Sequence, residues 1–220
     1  MPGEFLDLLG SDDRDALMAR GGRRRFDPGT RLIAEGLPGD EVFVLLEGRV
    51  RITGTTRDGR EVVVRFGGPG EMLGELAVLD EQPRASSVEA IDPVEALAIS
   101  AADFGSLLHS HPGIAFALLR TLAGRFRGAD AARIEFAASQ TLGRVAARLL
   151  ELVQRYGQQS EDGAVVIALP LSQEDLAGWT ASSREAVARA LATFRELGLV
   201  TTERRRITVR DPEALRGHVG

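Results

Sequence analysis

The apolar pattern of this 220-residue chain changes period once, and that change constrains the fold more than any other feature. From Arg23 to Ile99 the apolar runs are short: Val42-Phe43-Val44-Leu45-Leu46, then Val50 and Ile52, then Val62-Val63-Val64 and Phe66. Pro28-Gly29, Pro38-Gly39, Glu47-Gly48, Asp58-Gly59 and Pro69-Gly70 separate them. Strand-length runs bounded by such turns predict an antiparallel sandwich or barrel, with Asp58-Gly59 as a hairpin turn. From Ile114 to about Tyr156 the apolar residues instead return every three or four positions. Leu119, Leu122, Phe126, Ala129, Arg133 and Phe136 form the seam of a coiled coil. With no breaker until about Gly143, the helix is long enough to pair with a second subunit; packing on its own β domain is the alternative. Arg133 departs from the seam, since a charge there costs stability unless paired. The first 20 residues read as a short amphipathic helix (Phe5, Leu6, Leu8, Leu9, Leu17), and Gly157 to Gly163 as a polar loop before a last module.

Composition narrows the function classes. The length allows one large or two smaller domains. No apolar stretch approaches 18 residues and no basic start precedes an apolar run, so no membrane association and a cytoplasmic location are expected. Cysteine is absent, which excludes disulfides, thiolate metal sites and iron–sulfur clusters; His109, His111 and His218 are too few for a metal or haem site. No nucleophile–base pair is recognisable, so an enzyme is not expected. The net charge of −5 argues weakly against nucleic acid when taken globally. The charge is uneven, however: from Arg184 onward the chain carries Arg189, Arg195, Arg204-Arg205-Arg206, Arg210 and Arg216, and every Lys/Arg position in the chain is Arg.

Residues 74–88 read Gly-Glu-Leu-Ala-Val-Leu-Asp-Glu-Gln-Pro-Arg-Ala-Ser-Ser-Val. A cyclic nucleotide needs backbone N–H groups converging on its phosphate at a helix start, a guanidinium for the phosphodiester, and an acceptor for the ribose hydroxyl. Gly74 to Ala77 can form the helix start, Arg84 can supply the cation and Glu75 the acceptor. The segment resembles the phosphate-binding cassette of cyclic-nucleotide-binding domains through Gly74, Glu75, Leu76, Ala77, the spacing to Arg84, and the small residues Ala85, Ser86 and Ser87 before Val88. That resemblance implies that Arg84 binds the cyclic phosphate, Glu75 the ribose, and Ser86 and Ser87 line the phosphate pocket. Ala85, where a threonine favours cyclic GMP, implies cyclic AMP, with cyclic GMP or cyclic di-GMP as alternatives. A cassette that kept its fold and lost its ligand is the competing reading. Gly143-Arg144 resembles the family's hinge; counting back from it puts Ala129-Asp130 where adjacent hydroxyl residues reach the adenine in the cyclic AMP receptor protein. Asp130 is therefore a candidate base reader, or a solvated helix carboxylate.

Ser172-x-x-Asp175 is a capping-box-like start, followed by Leu176, Ala177 and Trp179 on an apolar face. Thr180-Ala181-Ser182 gives a short break, Ser182-x-x-Glu185 caps a second helix with Val187, Leu191, Phe194 and Leu197 inside, and Gly198 ends it. Two short capped helices at this spacing fit a helix-turn-helix, although a helix pair with another role has the same spacing. Ser183-Arg184-Glu185-Ala186-Val187-Ala188-Arg189 resembles the recognition helix of the cyclic AMP receptor protein and fumarate–nitrate regulator (Crp/Fnr) family. The resemblance implies that Arg184 and Arg189 read guanines, Glu185 a cytosine, and Ser183 a phosphate, with Ser172 on the same DNA-facing side. An intrahelical Glu185–Arg189 pair is the plainer alternative. Leu199 to Thr202 and Ile207 to Val209 flank Glu203-Arg204-Arg205-Arg206, a β-hairpin wing whose basic tip would meet phosphates.

The chain is thus expected to be α+β: a cyclic-nucleotide-binding β-roll over 1–112, a dimerisation helix over 113–138, and a winged helix-turn-helix over 139–220. Its expected partners are double-stranded DNA, a second copy of itself and RNA polymerase. Arg23-Arg24-Arg25 lie near where family activators touch polymerase, but an exposed basic strand start explains them more simply.

Overall fold

The computed structural model describes residues 4–138, 140–160, 163–167, 169, 171–203 and 206–219. Two compact units, Met1–Ala129 and Asp130–Gly220, divide inside a helix rather than at a loop.

The first unit opens with a 3-10 turn (Phe5–Leu8) and helix α1 (Ser11–Arg20) rather than one amphipathic helix. Eight strands follow: β1 (Gly22–Phe26), β2 (Arg31–Ile33), β3 (Glu41–Glu47), β4 (Val50–Thr55), β5 (Glu61–Gly67), β6 (Met72–Leu73), β7 (Ser87–Ala90) and β8 (Val94–Ser100). A short helix, α2 (Glu75–Leu79), interrupts them, and α3 (Ala101–Ser110) and α4 (Pro112–Ala138) come after. The strands pair antiparallel in two sheets, ordered β1-β8-β3-β6 and β2-β7-β4-β5. Asp58-Gly59 makes the β4–β5 turn, with Gly59 at φ +81° and Arg60 donating to Asp58.

Strand periodicity explains how one sheet serves two cores. Along β8, Val94, Ala96 and Ala98 point between the sheets with Ile33, Ile52 and Val88, while Leu97 and Ile99 point to the helices with Phe5, Leu17, Phe104 and Ile114. Val42 and Val44 divide from Phe43 and Leu45 on β3 in the same way. Both faces of the β1-β8-β3-β6 sheet are therefore covered, which is why β3 and β8 read as continuous apolar runs. Arg23 and Arg25 donate to Glu95 on the neighbouring strand and Arg24 to Glu41, so this basic strand start is an array of cross-strand ion pairs.

The helical run from Ile114 is two helices. The second, α5 (Thr141–Tyr156), begins two residues before Gly143, which is buried within it. On α4, Leu119 and Phe126 are exposed, as a partner-facing seam requires, and Phe116 and Ile134 extend the exposed apolar set. Leu122 leans partly against its own domain's core, and the side chain of Phe136 lies outside the described residues. Arg133 is exposed, 3.8 Å from Asp130.

In the second unit, Gly157–Gln159 is not a loop but strand β9, paired with β10 (Val165–Ile167). Then come α6 (Gln173–Trp179), α7 (Arg184–Glu196), β11 (Val200–Glu203), β12 (Arg206–Val209) and α8 (Pro212–Arg216), with sheet order β11-β12-β10-β9. Helix α5 packs on α7, α8 and β10 through an apolar face including Val145, Leu149 and Leu152. Gly198 takes φ +72° directly after the last residue of the α7 cap, as a helix-ending glycine does.

Candidate functional site

In the first unit, β6 runs into α2 through Gly74, whose φ of +82° an L-residue with a side chain rarely adopts. A Cβ there would lie 2.4 Å from Nη1 of Arg84, so only glycine lets the guanidinium reach the backbone. Arg84 donates from Nη1 to the Gly74 carbonyl at 2.7 Å and from Nη2 to the Glu41 carbonyl at 2.6 Å, and is only 6% exposed. The backbone around it is tied to the segment after β2: Arg84 N–H donates to Leu37 O, and Gly36 N–H to Arg84 O. Among the described residues its ion-pair neighbour is Asp40 at 3.5 Å, whose side chain is almost fully in solvent. The guanidinium retains donors beyond these two bonds.

Glu75, the first residue of α2, is 2% exposed. Its Oε1 accepts from Nη1 of Arg125 at 2.6 Å, and Nη2 of Arg125 donates to the Met72 carbonyl at 2.6 Å. Buried Glu71 stands 3.8 Å from Arg125 and also accepts from Arg65 and from the Gly68 N–H. Burial pulls the Arg125 guanidinium below its usual range, the charge of Arg65 adds to this, and Glu75 and Glu71 oppose it. Oε2 of Glu75 has no partner among the described residues.

These groups surround one open cavity with an empty volume of about 620 Å³. Ile33, Ile52, Leu73 and Val88 give it apolar walls; Gly74 to Ala77, Arg84, Ala85 and Ser86 come from the cassette, and Val64, Arg65 and Arg125 complete it. The first N–H groups of α2 lack intrahelical partners. A buried cation beside such N–H groups, a carboxylate oxygen without a partner and apolar walls fit a phosphodiester joined to a hydroxyl-bearing sugar and a base. The Ser87 hydroxyl accepts from the Glu35 N–H at 3.1 Å, and Ser86, not Ser87, is among the residues lining the cavity. Arg125 escaped the sequence reading, lying 50 positions from Glu75 on a helix whose charges read as solvated. Asp130 is half exposed on α4, with Arg133 as its charged neighbour.

In the second unit, Ser172 and Asp175 form a complete capping box at the start of α6, so the Ser172 hydroxyl is committed to Asp175. The cap of α7 falls one residue later than expected: Ser183, not Ser182, accepts from the Ala186 N–H at 3.2 Å. Ser182 turns instead to Arg144. Val187, Ala190, Leu191 and Phe194 are buried, which leaves Arg184, Glu185 and Arg189 exposed on the other side of α7. The Glu185 carboxyl is held below the usual range by its own N–H and by the Ser183 hydroxyl, with Arg184 and Arg189 contributing less. Neither arginine has an ion-pair partner among the described residues. Arg206 starts β12 opposite Glu203, giving the wing, while Arg204 and Arg205 lie outside the described residues.

An open cavity lined by a buried cation and a carboxylate in one unit, and a winged helix-turn-helix with exposed arginines on α7 in the other, are the two parts of a nucleotide-binding transcription regulator. Comparison with known proteins agrees. Residues 23–111 match the cyclic nucleotide-binding domain family, and residues 143–217 the Crp-like helix-turn-helix domain family. The chain is 37% identical to the CRP-like cAMP-activated global transcriptional regulator of Mycobacterium tuberculosis over 190 residues, 86% of this chain and 84% of that protein. It is 28% identical to the cyclic AMP receptor protein of Thermus thermophilus, over 94% of this chain and 92% of that one. Among solved structures, a CRP-family transcriptional regulator from Thermus thermophilus superposes with a TM-score of 0.74 at 26% identity, covering 89% of this chain and 96% of that one. The c-di-GMP-responsive global regulator CLP of Xanthomonas campestris shares the fold with a TM-score of 0.81 at 22% identity, over 92% and 100% of the two chains.

The chain belongs to the Crp/Fnr superfamily of transcription regulators. It is a cyclic-nucleotide-binding regulator and not an enzyme, and membership carries DNA binding and dimer formation with it. Among the described residues, no helix is long and apolar enough to cross a membrane.

Proposed function

We propose that this regulator is a homodimer acting in the cytoplasm, with cyclic AMP as its ligand and a palindromic DNA site as its target. The observation that carries the reading is the meeting of Arg84, Glu75 and Arg125 at one cavity. Arg84 and the N–H groups at the start of α2 receive the cyclic phosphate, with Ser86 beside them. Glu75 accepts from the ribose hydroxyl through Oε2. Arg125 holds the other oxygen of Glu75, so ribose binding acts on α4, the helix that leaves the cradle. Ala85 after Arg84 and the cAMP-activated relative from Mycobacterium tuberculosis both support cyclic AMP. Asp130 is the candidate base reader.

At the other end, Arg184 and Arg189 bond guanines, Glu185 a cytosine, and Ser183 and the wing arginines Arg204, Arg205 and Arg206 phosphates. A two-fold dimer places two recognition helices about one DNA turn, roughly 34 Å, apart. RNA polymerase is the partner at the promoter.

A second reading rests on the same bonds. Arg84 already donates to two carbonyls and Glu75 already pairs with Arg125, so both side chains are held in place without an added group. On that reading DNA binding is independent of ligand. Calorimetric titration of the full chain with cyclic AMP, cyclic GMP and cyclic di-GMP separates the two. Micromolar or tighter binding of cyclic AMP, lost in Arg84→Ala, supports the first. Binding of another nucleotide alone replaces the ligand, and binding of none leaves the second.

A further inference from the structure

The turn between α6 and α7 sets where α7 points, and it contains one residue in a disfavoured conformation. Ala181 takes φ +45°, a left-handed conformation that an alanine adopts only against its preference. Backbone bonds from the Ala181 and Ser182 N–H groups to the Gly178 and Ala177 carbonyls close the turn, and a third helix holds it from outside. Arg144, on the first turn of α5, donates from Nε to the Thr180 carbonyl at 2.9 Å and from Nη2 to the Ser182 hydroxyl at 3.1 Å. The same Nη2 reaches the Thr141 hydroxyl at 3.3 Å, and Ser182 donates to the Thr180 carbonyl at 3.1 Å. One guanidinium thus spans the strained residue, gripping the positions on either side of it from a third helix.

We infer that Arg144 is a positioning residue for DNA recognition: it fixes the direction of α7 by clamping Thr180 and Ser182 to the start of α5. It touches no base in this role; it acts through Arg184, Glu185 and Arg189. A planar fork can hold the carbonyl and the hydroxyl at once, which a lysine ammonium cannot reproduce with the same geometry. A mispointed α7 still presents its positive charge to DNA, so Arg144 governs sequence discrimination rather than general affinity. The inference rests on the DNA-binding reading and is independent of which ligand the cradle takes.

The test uses the full chain. A preferred duplex is first selected with the wild type from a randomised library, and a scrambled duplex of the same length serves as reference. Arg144→Ala should weaken binding to the preferred duplex by about 30-fold or more, while affinity for the scrambled duplex and its salt dependence stay at wild-type values. Arg144→Lys should restore little of the preference. Ser182→Ala, which removes one acceptor without disturbing the apolar core, should lower the preference several-fold in the same direction, so a poorly folded Arg144→Ala would not decide the matter alone. Equal losses on both duplexes, full rescue by lysine, or an unchanged preference in Arg144→Ala and Ser182→Ala overturns the inference. A wild type that prefers no duplex overturns the recognition reading beneath it, and the inference with it.

Discussion

Replacing Gly74 with alanine probes the cradle at its tightest point. The new Cβ would stand 2.4 Å from Nη1 of Arg84, 3.3 Å from its Cζ and 3.1 Å from Cδ1 of Ile33. The positive φ alone costs about 1–2 kcal/mol for an L-residue. To regain ordinary contact the guanidinium must retreat by about 1 Å, which strains its bonds to the Gly74 and Glu41 carbonyls. Losing one charge-assisted bond of this kind costs about 1.5–3 kcal/mol. Gly74→Ala should therefore destabilise the first unit by about 3 kcal/mol, a fall of roughly 10 °C in its melting temperature. The same displacement removes a comparable share of the phosphate's binding energy, about 10- to 100-fold in Kd. Calorimetric titration with cyclic AMP and differential scanning calorimetry of the full chain read both quantities. Gly105→Ala is the control, because a Cβ there meets nothing within 4 Å and the site lies within α3. A Gly74→Ala protein that binds cyclic AMP with wild-type affinity would refute the assignment of Arg84 to the phosphate.

Three further outcomes are expected. Ala181→Gly relieves the left-handed strain and should stabilise the second unit by about 0.5–1 kcal/mol after the added chain entropy is counted, seen as a higher melting temperature; a lower one contradicts the strain argument. Arg184→Ala should cost roughly 1–3 kcal/mol on the preferred duplex and relax base preference at one position per half-site, and a uniform loss on every sequence would end its base-reading role. Glu95 is held below its usual range by hydrogen bonds from Arg25 and then Arg23, so the folded protein takes up its proton less readily than the unfolded chain. Its contribution is complete above the unfolded value of about 4.3 and is lost as pH falls through the folded one. Arg25→Ala should accordingly move the acid-unfolding midpoint, followed by circular dichroism, to higher pH; an unmoved midpoint shows that the pair contributes nothing.

What could be read from the sequence was local. The β-roll showed itself in Gly-bearing turns a few residues long, the α6 cap in Ser172 and Asp175 three positions apart, and the cassette within fifteen consecutive residues. Interactions that join distant segments left no such trace: Arg125 reaches Glu75, and Arg144 reaches Thr180 and Ser182, only because helices return to elements made earlier or later. Gly157–Gln159 carries no strand-favouring residue and is a strand because β10 offers it hydrogen bonds, a tertiary effect that propensity does not register. Ser182 and Ser183 are chemically equal candidates for one cap, and what separates them is the Arg144 guanidinium that claims the first. Ser87 is a candidate from the cassette's local pattern, whereas the Glu35 N–H that its hydroxyl accepts from comes from a segment 52 positions away.

The boundary between the two units falls at Ala129 and Asp130, inside the helix α4 that runs from Pro112 to Ala138. A flexible tether transmits only distance, and lengthening it weakens coupling smoothly. A helix also carries phase. One residue inserted after Ala129 would turn residues 130–138 by about 100° around the helix axis and advance them about 1.5 Å, whereas seven would return them to within about 20° of their original facing. The facing of residues 130–138 relative to Leu119 and Phe126 on the same helix thus depends on the length of α4 as a periodic function.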